Sequence, residues 1–134
     1  MKDLWPEKFE IPDNLRPPSK ILEEQGVILE EKTFGKLRGV LQQTKTLALA
    51  STSIEHKFSI FSPTLNYLYS FLSISHEIEL YPVELEIDLN ISKELGWPTQ
   101  WKSANNPDEF MKLLSEIFKT ERLNKVISAI MAQS

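Results

Sequence analysis

The sequence predicts an α+β fold: an antiparallel four-stranded β-meander with one N-terminal helix and two C-terminal helices packed on it. Three observations carry this. Residues 36–89 alternate apolar and polar side chains at period two and are rich in β-branched and aromatic residues. Residues 107–132 instead repeat apolar positions at helical spacing, and residues 19–34 do so opposite an acidic side. The 134 residues suit a single domain with its own core, and 41% hydrophobic with 25% charged content is ordinary for a globular chain.

Residues 1–18 read as an extended arm. Pro6, Pro12, Pro17 and Pro18 lack amide hydrogens and disfavour helix just before them. Yet Leu4, Trp5, Phe9 and Ile11 are too apolar for a free tail, so the arm is expected to lie on its own domain or cross to a second copy. Ser19 is the expected cap of the first helix. Ile21, Leu22, Ile28 and Leu29 form its apolar side and Glu23, Glu24, Glu30 and Glu31 its wet side. Gly26 weakens the middle by up to ~1 kcal/mol. Phe34-Gly35 ends the helix, with glycine supplying a left-handed residue.

Strands are expected over 36–44, 54–61, 65–75 and 77–89, with Ser62-Pro63-Thr64 as a hairpin turn. The segment LALASTS, 47–53, reads equally as a short strand or a loop. The third strand is apolar on both faces: Leu65, Tyr67, Tyr69 and Phe71 point one way, Leu68, Leu72 and Ile74 the other. One of these sets then needs a cover other than the helices. In the fourth strand the acids Glu77 and Glu79 are odd-numbered, whereas Glu84, Glu86 and Asp88 are even. A bulge at Tyr81-Pro82 puts all five on one solvated face; a tight turn there is the alternative.

Residues 95–107, LGWPTQWKSANNP, read as a loop carrying Trp97 and Trp101. Asn106-Pro107-Asp108-Glu109 then starts a helix with a cap, a first-position proline and acids against the dipole. Phe110, Leu113, Leu114, Ile117 and Phe118 make one apolar stripe. After a restart at Lys119-Thr120, Leu123, Val126, Ile127, Ile130 and Met131 make a second.

Composition closes several function classes. The absence of cysteine excludes disulfides, thiolate metal sites and cysteine nucleophiles. There is no signal-peptide pattern and no apolar run near the ~20 residues of a membrane helix, so a cytoplasmic chain with no membrane contact is expected. A net charge of −4 without a basic run argues against nucleic acid. With four glycines and no P-loop, G-x-S-x-G or H-E-x-x-H, no nucleophile or phosphate cradle stands out.

His56 and His76 are the only histidines, and both lean to the apolar sides of their strands. If they meet, they offer acid–base or ligand chemistry, with Glu55, Ser75 and Glu77 as neighbouring polar groups; His56, His76 and Glu77 are therefore the catalytic candidates. Glu84, Glu86 and Asp88 offer a docking surface to a basic partner, but a flat strand splays its carboxylates and no D-x-D-x-D-G loop is present, so no metal is expected. Tyr67, Tyr69, Phe71, Trp97 and Trp101 are the aromatic interface candidates. The chain thus reads as a non-enzymatic protein–protein interaction, adaptor or regulatory domain without a cofactor, its partner another protein or itself as a homodimer. The alternative is a small hydrolase or ligand-binding domain using His56 and His76.

Overall fold

The chain leaves its proline-rich arm and turns helical at Pro18. In the computed structural model, which describes residues 1–12, 15–44 and 53–134, helix α1 spans Pro18–Lys32. The cap is Pro17 rather than the expected Ser19, and no side chain bonds the first turn. Proline at the first helical position removes one orphan donor and presets φ, so a hydroxyl cap is less needed. At the other end the Thr33 hydroxyl donates to the Leu29 carbonyl at 2.9 Å and accepts the Leu37 amide at 3.1 Å. Phe34 and Gly35 both take positive φ, 53° and 80°, and swing the chain into the sheet.

The sheet has five strands, not four: β1 Arg38–Thr44, β2 Ile54–Ser62, β3 Tyr67–His76, β4 Val83–Ile87 and β5 Trp101–Ala104. They are antiparallel in the order β1-β2-β3-β4-β5, so β1 and β5 are edges. Helix α2, Leu89–Leu95, joins β4 to β5; α3, Pro107–Phe118, and α4, Glu121–Ala132, follow as expected, with Asn106 and Thr120 as side-chain caps. The 47–53 choice falls almost wholly outside the described residues. Among the described residues, no helix is long and apolar enough to cross a membrane.

The expected strand 77–89 is corrected at both ends. Residues 77–82 form a turn in which the Leu80 amide donates to the Glu77 carbonyl at 3.0 Å, with Leu80 at φ 79° and a cis Tyr81-Pro82 bond. The parity flip of the acids therefore reflects the turn, not a bulge. At the far end Asp88 caps α2, its carboxylate accepting the amides of Asn90 and Ile91 at 3.1 and 3.3 Å.

A bulge does exist, in β3. Phe58 pairs with Leu72 and Ser59 with Ser70, which leaves Phe71 as the extra residue. Ser62, Ile60, Phe58, His56 and Ile54 share one face of β2, and opposite them stand Tyr67, Tyr69, Leu72, Ile74 and His76. The extra residue thus resets the alternation and brings Leu72 and Ile74 to the same face as Tyr67 and Tyr69, leaving Leu68 with Phe61 on the other. The expected division of β3 into two apolar faces is corrected for Leu72 and Ile74.

The helices cover that face. Ile21 and Leu22 of α1, Phe110 and Ile117 of α3 and Leu123 of α4 are buried against Phe58, Ile60, Leu72, Ile74 and Leu85. Helix α1 lies directly on β1, where Gly26 meets Gly39 so closely that a Cβ on Gly39 would overlap the Gly26 Cα. The glycine that looked like a weakness of the helix is its contact point. The opposite sheet face carries no helix or strand among the described residues.

Candidate functional site

The register of β2 and β3 sets His56 against Ile74 and His76 against Ile54, so the two imidazoles are diagonal neighbours on the helix face. Their rings stack with centroids 6.2 Å apart and planes 19° from parallel. His76 Nδ1 lies 2.6 Å from the Glu77 carbonyl; because a carbonyl only accepts, Nδ1 carries the proton. Among the described residues, Nδ1 of His56 and Nε2 of His76 are buried without a hydrogen-bond partner. Burial holds His56 below the ordinary imidazole pKa, the neighbouring His76 adds to this, and Glu23 of α1 opposes it. His56 therefore favours its uncharged state.

The groups expected to orient the histidines do not reach them. Glu55 and Ser75 oppose each other on the other sheet face. Glu77 is exposed and offers His76 its backbone carbonyl. Among the described residues, no group of three or more His, Asp or Glu side chains is placed to hold a metal ion. Glu23 acts on His56 through its charge, and among the described residues no carboxylate or hydroxyl is hydrogen-bonded to either ring.

The open sheet face collects other candidates. Gln42, Lys57, Ser73, Glu86 and Trp101 form one row across all five strands, and Thr44, Glu55, Ser75, Glu84 and Ser103 form the next. Several of them line a hollow of about 270 Å³ that His56 and Ile74 also border. Glu86 and Trp101 thus come together, with Lys57 near them, whereas Arg38 is drawn off to Glu30 of α1 at 3.7 Å. Asp88 is spent on its helix cap.

The remaining aromatic candidates divide. Phe71 is buried in the core, where it meets Phe58 and Phe118 edge-on at 5.9 and 6.2 Å and stacks on Tyr69. The Tyr69 hydroxyl is buried; burial and then Asp88 push its pKa up, with Arg122 opposing. Trp97 is buried with the Lys102 ammonium 5.3 Å from its ring, while Trp101 and Tyr67 are exposed.

The arm does not lie on its own domain. Leu4, Trp5, Phe9 and Ile11 are 72–84% exposed, with the Trp5 and Phe9 rings 5.8 Å apart. Its root is fixed: the Tyr81 hydroxyl donates to the Arg16 carbonyl at 2.7 Å, and the Arg16 guanidinium pairs with Glu24 at 2.6 Å. Burial pushes the Tyr81 pKa up to about 12, with Arg16 opposing.

Two features escaped the sequence. Glu94 of α2 accepts the amides of Glu121 and Arg122 at 2.7 and 2.9 Å and so caps α4 from a distance, which no local pattern announces. A hollow of about 560 Å³ opens between α1, α3, α4 and the helix face of β2 and β3, made by stripes that read as plain core. Comparison with known proteins finds no matching family model, no matching curated protein and no matching solved structure.

Proposed function

We propose that this chain is a non-enzymatic protein–protein interaction domain that works as a homodimer, each arm lying across the open sheet face of the other copy. The exposed arm carries the reading. Four large apolar side chains held in water on one segment form a surface that a chain normally covers, and nothing on its own domain does so. The open face offers what such a segment needs. Val40, Phe61, Leu68 and Trp101 are its apolar points, and Lys57 shares the face with the acids Glu55, Glu84 and Glu86. The arm is itself of mixed charge, with Lys2 and Lys8 against Asp3, Glu7 and Glu10, so both signs find partners. Exchange of identical arms closes on a two-fold axis and leaves no unpaired copy.

The test is sedimentation equilibrium of the full chain beside Trp5→Glu/Phe9→Glu. A dimer dissociating at or below the order of micromolar, shifted to monomer in the double variant, supports the reading. A full chain that stays monomeric at ~100-fold higher concentration would overturn it.

The stacked histidines favour the second reading, a ligand-binding or hydrolytic site, in so far as they meet on one face. Its weakness is that no carboxylate or hydroxyl among the described residues is hydrogen-bonded to either ring. Glutamine at either histidine leaving any ligand affinity unchanged would close it.

A further inference from the structure

We propose that the hollow between the helices and the sheet is a binding site for an amphipathic anion, a long-chain carboxylate whose tail lies over β2 and β3 and whose head meets Lys32 and Lys119. At about 560 Å³ it falls within the ~300–1,000 Å³ of small-molecule pockets, and it far exceeds the water-sized voids a packed interior tolerates. Its floor is Phe58, Ile60 and Phe71 of the sheet; its walls come from Ile28 of α1, Phe118 of α3 and Ile127 of α4. Three helices and the sheet floor bound this basin, and its volume suits a small molecule.

The charge at the edge selects the head group. The lining includes Lys32 and Lys119, and the neutral polar groups Gln25, Ser115 and Asn124, but no carboxylate. Neither lysine forms an ion pair among the described residues. Three of the four acids of α1 are turned to other cations, Glu23 to Lys20, Glu24 to Arg16 and Glu30 to Arg38, and the fourth, Glu31, does not line the hollow. Asn124 gives its amide hydrogens to the Phe118 and Thr120 carbonyls, which leaves the two lysines as the charged donors of the lining beside the neutral Gln25 and Ser115. An apolar basin with two uncommitted ammonium groups at its edge matches an aliphatic tail ending in a carboxylate.

The experiment titrates the full chain by calorimetry with decanoate, decanol and decyltrimethylammonium below their aggregation thresholds. Saturable decanoate binding near one per chain is expected, about five- to tenfold weaker for decanol and weaker again for the cation. Lys32→Glu/Lys119→Glu, both surface changes, should remove the preference for the anion, and Ile127→Trp should block all three by filling the basin. No saturable binding, or decanoate binding indifferent to both variants, would overturn the proposal. Equal affinity for decanol and decanoate would overturn the assigned head group. Binding seen only in Trp5→Glu/Phe9→Glu would mean that an arm, not a small molecule, fills the basin.

Discussion

Replacing Gly39 with alanine probes the contact on which the position of α1 depends. The added Cβ would overlap the Cα of Gly26 in α1 and stand 3.1 Å from the Phe58 ring. No backbone strain is involved, because Gly39 is not among the residues with positive φ. The cost is therefore overpacking alone, typically 1–3 kcal/mol, and it belongs at the upper end because backbone cannot rotate aside as a side chain would. Taking about 3 kcal/mol, and about 4 °C per kcal/mol for a chain of this length, the melting temperature should fall by about 12 °C. The reverse change, Gly26→Ala, is milder. It gains about 1 kcal/mol of helix propensity and meets Gly39 at 3.1–3.2 Å, tight by a few tenths of an ångström. Urea and thermal unfolding followed by circular dichroism would rank the two. If Gly39→Ala lay within ~0.5 kcal/mol of the native chain, the close approach of α1 to β1 would be refuted.

Three further outcomes are expected. Burial lowers the pKa of folded His56, so the unfolded chain takes up its proton first as pH falls. That contribution to stability is whole above the unfolded value of 6.5 and is lost progressively below it; a urea midpoint flat from pH 7 to pH 5.5, or a slope unchanged in His56→Gln, would contradict it. Glu94→Ala should cost about 1 kcal/mol by freeing the Glu121 and Arg122 amides, read as a lower urea midpoint at unchanged slope. Millimolar calcium, magnesium or manganese should leave the melting temperature within a degree, since Asp88 is engaged as a cap and Glu84 and Glu86 lie on a flat strand; a rise of several degrees would mean a metal site.

What the sequence made legible was local. Helices α3 and α4 were readable because their starts are written in side chains that bond their own first turns, Asn106 to the Glu109 amide and Thr120 to the Leu123 amide. Helix α2 and strand β5 span seven and four residues, too short for either period to register. Asp88 could be taken for a strand acid because the same residue type serves an exposed strand face and a helix cap. The exposed arm could not be foreseen, since apolar content says that a segment wants cover and not whether its own domain gives it.

The bulge at Phe71 had a trace that the acids obscured. Ser70 is even-numbered, whereas Ser73 and Ser75 are odd, so the polar side of β3 changes parity between them. The same test had been informative at Tyr81-Pro82, where the break proved to be a turn. This one residue also decides whether the histidines meet. Continuing the pairing of the turn end, Ser62 with Tyr67 and Ser59 with Ser70, without an insertion would set His56 opposite Ser73 and His76 opposite Ser53. His76, Leu72 and Ile74 would then all face away from the helices. The extra residue returns Leu72 and Ile74 to the core and carries His76 to His56 with them. The imidazole pair is thus a consequence of the register that buries the third strand, which accounts for two stacked rings with neither Glu55 nor Ser75 beside them. The same register keeps Glu55 and Ser75 together on the open face.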